Sequence, residues 1–137
     1  WAGPGKGFKK ILGEDWMPYS PPVFLCPPFP SYVSGHSTIS GACAEVLRLY
    51  KGDDAFGSQV TLQPGALTEP NPSYDSVTLH FPTFTETAEM AGISRVLGGY
   101  HIQADNIEGL RLGRRVARHV YDYVQDLKVD MSSDPAP

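Results

Sequence analysis

The chain has 137 residues, which fits one domain able to bury a core without disulfides. Acidic residues outnumber basic ones 15 to 11, a formal charge of -4. That balance excludes a general basic surface for nucleic acid or anionic lipid, so any bound anion must be held by a local arrangement of groups. The apolar runs are short and broken by Gly, Pro or charge, which excludes a membrane-spanning helix on length.

Residues 1–33 carry Pro4, Pro18, Pro21, Pro22, Pro27, Pro28 and Pro30, a composition that blocks helix continuation and favours extended backbone. Their aromatic content (Trp1, Phe8, Trp16, Tyr19, Phe24, Phe29, Tyr32) predicts an ordered proline-rich loop packed over a helical body. Cys26 and Cys43 could form one bridge, but they match no metal motif and have no activating base beside them, and two buried thiols are the plainer expectation. The chain opens on Trp1 without a signal-peptide pattern, and a processed product, a truncated form or one piece of a longer polypeptide is expected.

Beyond that loop, residues 34–128 read as a helical core. Ile39, Cys43, Val46, Leu47 and Tyr50 recur at three- and four-residue spacing, predicting an amphipathic helix that ends near Gly52. Gln59–Leu62 and Ser76–Phe81 are short β-prone runs that could pair as a small hairpin across residues 64–75. Thr83 followed by Glu86 makes a capping-box pattern ahead of a second helix, stopped at Gly98-Gly99. A third helix is predicted from near Asp105 to about Lys128, with Ile107, Leu110, Ala117, Val120, Val124 and Leu127 on one face and Gly109 and Gly113 thinning it for close packing. Residues 129–137 read as a polar, fraying tail. The fold class is therefore mainly α: a helical bundle with a proline-rich lead-in and a small hairpin.

Two segments carry chemistry. Ser34-Gly35-His36 stands where loop gives way to helix, so unpaired backbone N–H groups and the helix dipole favour an anion there. Gly35 permits close approach, the Ser34 hydroxyl can donate, and His36 suits proton transfer near neutral pH. The bland alternative makes Ser34 or Ser37 an ordinary cap and His36 a surface residue. In the second segment, Arg95 offers a donor fork suited to an oxyanion. Asp105, four residues after His101, could accept one imidazole N–H and leave the other nitrogen to ligate a metal or attack phosphorus. The bland alternative places Arg95 in a surface ion pair and Asp105 at a helix cap. His80, His119 and the group Arg111, Arg114, Arg115 and Arg118 read as packing or solvated surface.

Ser94-Arg95, five residues, His101, three residues and Asp105 together resemble the third signature of the vanadium haloperoxidase and type-2 phosphatidic acid phosphatase superfamily. Ser34-Gly35-His36 resembles its second, with Val33 where the family often has proline. The order and separation also agree, and the resemblance runs over roughly residues 1 to 128, with the lead-in Pro27-Pro28-Phe29-Pro30 similar to bacterial-type haloperoxidases. It implies that His101 is the axial ligand of vanadate, or the phosphate-accepting nucleophile of a phosphatase, oriented by Asp105. It implies further that Arg95, the Ser34 hydroxyl and the Gly35 N–H hold equatorial oxygens and that His36 moves protons. Phosphate could occupy the same site.

The family's first signature, a Lys, six residues and Arg-Pro, is not found whole: Lys10 has Met17-Pro18 at that spacing. The missing Lys and Arg are expected from an upstream part of the same protein or from another chain, which makes this the C-terminal portion of a larger helical-bundle enzyme. The favoured reading is a vanadate-dependent haloperoxidase acting on hydrogen peroxide and halide. The alternatives are an acid phosphatase cleaving phosphomonoesters through a phosphohistidine, and a non-catalytic fragment that keeps the scaffold.

Overall fold

The computed structural model describes residues 7–18, 28–66 and 75–133. Among these, three helices and one antiparallel hairpin follow a 3-10 turn at Gly13–Asp15: α1 Gly35–Lys51, β1 Ala55–Leu62, β2 Val77–Thr83, α2 Phe84–Leu97 and α3 Gln103–Ser133. The mainly helical class is as read from the sequence, while much of the proline-rich segment lies outside the described residues.

Local chemistry explains the element boundaries. Ser34 caps α1 by accepting from the Ser37 N–H, and Gly52 ends the helix at φ 80 with its N–H on the Arg48 carbonyl. Thr83 caps α2, its hydroxyl accepting from the Glu86 N–H at 3.0 Å, as the capping-box pattern predicts. The hairpin is longer than predicted. β1 starts at Ala55, close behind α1, and pairs from Ala55↔Thr83 to Leu62↔Val77, with an irregularity between Ala55 and Ser58 beside Gly57 at φ 66. The partner of the Ala55 end is Thr83, far along the chain, so no local pattern marks it. Asp54 closes the base, its carbonyl accepting from Phe84 N–H and its carboxylate from Thr85 N–H.

α1 and α3 lie parallel and in register. Ser34 meets Asp105, Ser37 meets Asn106 and Gly109, Gly41 meets Leu110, Glu45 meets Arg118, and Leu49 accepts from the Tyr121 hydroxyl. The glycines set the spacing. A Cβ at Gly41 would stand 2.9 Å from the Leu110 carbonyl oxygen, and one at Gly109 would stand 2.8 Å from that of Ser34. Backbones therefore touch directly, as the expectation for Gly109 and Gly113 requires.

That seam reverses the burial expected from the periodicity of α1, while on α3 Leu110 and Ala117 of the predicted apolar face are buried. Buried apolar side chains among the described residues are Ala88, Leu110 and Ala117, whereas Ser34, Ser37, Glu45, His101, Asp105 and Asn106 are buried polar ones. The apolar stripe of α1 faces outward, with Ile39 67% and Tyr50 78% exposed, and Ile107, Val120, Val124 and Leu127 on α3 are also exposed. Close backbone approach admits only small or specifically paired side chains between the helices, so the large apolar ones are turned away.

Three other expectations change. Cys43 is a free, exposed thiol and not a buried one, because it shares the outward face of α1, and Cys26 lies outside the described residues. α3 continues through Ser133, past the predicted end at Lys128 and into the segment read as a tail, since nothing before Pro135 breaks a helix. The described lead-in aromatics are mostly exposed, Phe8 at 88%, although Trp16 and Pro18 lie against Gly99. No helix among the described residues is long and apolar enough to cross a membrane.

Candidate oxyanion site

The site lies where the start of α1, the end of α2 and the start of α3 come together. The join is a backbone hydrogen bond: Ser34 N–H donates to the Asp105 carbonyl at 3.1 Å, tying the Ser-Gly-His turn to the segment carrying His101. Both sequence signatures thus share one locus.

His101 is nearly buried, and its Nδ1 stands 3.1 Å from Asp105 Oδ2. Four-residue spacing across the turn into α3 produces this contact, as the sequence predicts. The carboxylate also accepts from the Ile102 N–H at 3.4 Å and from the Ser31 side chain. Burial acts to raise the Asp105 pKa, but the hydrogen bonds from His101, Ser31 and Ile102 outweigh it and hold the carboxyl below its ordinary range. An ionised acceptor fixes the proton on Nδ1 and leaves the Nε2 edge of the ring for a ligand or an electrophile. Phe29 flanks that ring, with centroids 6.3 Å apart.

Ser34 is completely buried, and its oxygen accepts from Ser37 N–H, so the ordinary cap role is real. The hydroxyl proton remains a donor. Gly35 borders open space: a Cβ built there meets nothing within 4 Å. The Gly35 and His36 N–H groups belong to the first turn, where no intrahelical acceptor exists. His36 has a pKa lowered by partial burial first, then by the positive fields of Arg95 and His101. Arg95, in the last turn of α2, stacks its guanidinium 4.2 Å over the Tyr100 ring.

The predicted residues therefore come together: Ser34, Gly35 and His36 on one side, Arg95, His101 and Asp105 on the other. His80 on β2 and His119 on α3 are exposed, as expected, and so are Lys10 and Met17. Arg111, Arg115 and Arg118 are exposed and Arg114 half-buried, the solvated face expected, and that face carries ion pairs of Arg118 with buried Glu45 at 2.7 Å and of Arg114 with Glu89 at 2.9 Å. Sequence reasoning missed Ser31 as a donor to Asp105, and missed Ser37 and Asn106 as a buried hydrogen-bonded pair. No spacing signal marks Ser31, whereas Ser37 and Asn106 are each one turn or one residue from a signature residue.

The donor set suits a tetrahedral oxyanion that is anchored by one imidazole. It offers a single ligating nitrogen, a guanidinium, a hydroxyl and backbone N–H groups. Such a group needs no cage of several ligands, and the described residues contain no cluster of three or more His, Cys, Asp or Glu able to hold a bare cation.

Comparison with known proteins shows the fold and the domain family. No curated protein sequence matches the chain. Among solved structures, it is similar to an apo-type bacterial vanadium-dependent chloroperoxidase (TM-score 0.75, 24% identity, covering 91% of this chain and 27% of that one) and to the holo-type form (0.74, 24%, 92% and 26%). It is also similar to a bacterial vanadium-dependent iodoperoxidase (0.56, 34%, 80% and 23%). The chain spans about a quarter of the length of these proteins. A family model for the VCPO second helical-bundle domain matches residues 1–129, nearly the whole sequence. With both signatures joined at one helix junction, the chain belongs to the VCPO second helical-bundle domain family.

Proposed function

We propose that this chain supplies the imidazole-bearing half of a vanadate-dependent haloperoxidase site, which oxidises halide with hydrogen peroxide. The observation that carries the reading is the Ser34 N–H to Asp105 carbonyl bond, which sets the anion-facing turn against the buried His101–Asp105 pair. When bound, vanadate would supply the electrophilic activation of peroxide. His101 Nε2 is the group that would hold it, with the ring kept in the required tautomer by Asp105. Arg95, the Ser34 hydroxyl and the Gly35 N–H would bind the remaining oxygens by charge-assisted or backbone hydrogen bonds. His36, with its lowered pKa, is neutral at neutral pH and suited to take up a proton and return it.

Multiple negative charge on the anion calls for more cationic groups than Arg95 alone. The Lys and Arg of the family's first signature would come from another part of the protein or another chain. The same cradle accepts phosphate, so phosphomonoester cleavage through His101 is the competing chemistry. One assay separates them in the complete natural polypeptide that carries this chain: vanadate- and peroxide-dependent bromination of a phenol-red-type acceptor, against phosphate release from an aryl ester. Bromination that requires vanadate supports the proposal. Phosphate release without bromination reassigns the chemistry, and neither activity makes the domain a scaffold.

A further inference from the structure

One turn beneath the site, three helices meet at Ser37 of α1, Gly92 of α2 and Asn106 of α3. Ser37 is completely buried and Asn106 nearly so, and the Ser37 hydroxyl donates to Asn106 Oδ1 at 2.8 Å. Asn106 Nδ2 reaches Gln103 Oε1 at 3.5 Å, which turns the amide oxygen toward Ser37. Gly92 leaves the room: a Cβ there would overlap Asn106 Oδ1 and stand 3.1 Å from Ser37 Oγ.

Each of these residues is directly coupled along its helix to a site residue. Ser37 donates its N–H to Ser34, Asn106 follows Asp105, and Gly92 precedes Arg95 by three positions. The α1–α3 seam is smooth where Gly41, Gly109 and Gly113 lie, and smooth surfaces carry little information about sliding or rotation. The Ser34 N–H to Asp105 carbonyl bond and the Arg118–Glu45 pair supply it only at other levels of the seam. A buried directional bond does carry it. Such a pair gives little net stability over a well-packed apolar pair, because both partners must be stripped of water. Its presence in a small, mostly polar interior therefore calls for a role in register. Displacements of about 1 Å at a reacting centre can change rates by roughly two orders of magnitude.

We infer that Ser37 and Asn106 are positioning residues that lock the rotation of α1 against α3, so that the Ser34–His36 turn and the His101 imidazole address the same anion, with Gly92 kept small to admit the lock. The inference rests on the oxyanion reading of the site. It asks nothing of these two side chains in direct contact with the anion.

The test compares Ser37→Ala, Asn106→Leu, the double variant and Gly92→Ala in the complete natural polypeptide. Removing one partner leaves a buried polar group unsatisfied, so the single variants lose stability, while the double variant replaces both with apolar groups and recovers it. Two readings are taken at a temperature where every variant is folded. They are the dissociation constants of orthovanadate and inorganic phosphate by calorimetry, and the exchange lifetime of the His101 Nδ1 proton by NMR in anion-free protein. The double variant should unfold like the parent, bind both anions about 10- to 100-fold more weakly and exchange the proton faster. Gly92→Ala, whose methyl would displace the amide from Ser37, should lose stability and likewise bind both anions more weakly and exchange the proton faster. A double variant with parental anion affinity and parental exchange lifetime overturns the inference. If the parent binds neither anion, the oxyanion reading falls by itself, and the proton exchange still decides: faster exchange in the double variant and in Gly92→Ala supports the lock, and an unchanged lifetime refutes it.

Discussion

Gly113→Ala sets helix propensity against packing, and the two give opposite signs. In an exposed helix the substitution would stabilise by about 1 kcal/mol, because alanine loses less backbone entropy than glycine. Here the new methyl would overlap the Thr38 carbonyl oxygen and stand 2.8 Å from the Ala42 N, both backbone atoms of α1. No side-chain rotation relieves that clash, so α1 and α3 must separate. Overpacking of this kind costs about 1–3 kcal/mol, and contact with backbone places it at the upper end. The net expectation is a loss of about 2 kcal/mol. Gly35→Ala is the internal control: its methyl enters open space, so stability should stay within about 0.5 kcal/mol while anion affinity falls. Urea unfolding followed by far-ultraviolet circular dichroism measures both. A Gly113→Ala protein as stable as the parent, or more so, would refute the direct backbone contact between α1 and α3.

His101→Ala should abolish vanadate and phosphate binding by calorimetry and any turnover, and retained turnover would remove His101 from the site. His36 has a folded pKa below its ordinary 6.5, so its contribution to stability is complete above that pH and declines as pH falls through 6.5 toward the folded value. NMR titration of its ring protons should give a midpoint below 6.5 in the free protein and a higher one when a bound anion offsets Arg95. Glu45 is lowered to about 2, first by the Arg48 hydrogen bond against the opposing effect of burial and then by Arg118, so its stabilisation should be intact near pH 5 and disappear as pH falls through about 2. Arg118→Ala should cost only about 1 kcal/mol in equilibrium unfolding, because that arginine is 59% exposed and Glu45 keeps Arg48. A loss several times larger would show the pair to be less solvent-screened than its exposure indicates.

Where a feature depends on neighbours along the chain, the sequence displays it. The Thr83 cap, the Gly52 stop and the His101–Asp105 contact all follow from spacings of a few residues, and each is found at its predicted position. The periodicity of Ile39, Cys43, Val46, Leu47 and Tyr50 correctly indicates a helix but not which face is buried. Hydrophobic spacing reports that a stripe exists, whereas the identity of the buried stripe depends on what packs against it. In α1 the buried stripe is Ser37, Gly41 and Glu45, chosen by the parallel approach of α3. Glu45 and Arg118, and Ser37 and Asn106, find each other only in three dimensions, and no local pattern couples them.

The hairpin leaves the bundle at Ala55 and returns at Thr83, and these two residues are paired with each other. Its entrance and exit thus coincide, and the excursion adds sequence between the two signatures without adding distance between them. A loop anchored this way is a free coordinate. Relatives can lengthen, shorten or redecorate its far end while Ser34, Arg95 and His101 stay where they are, so variation in length there should be expected to alter what approaches the domain and not the chemistry at its centre.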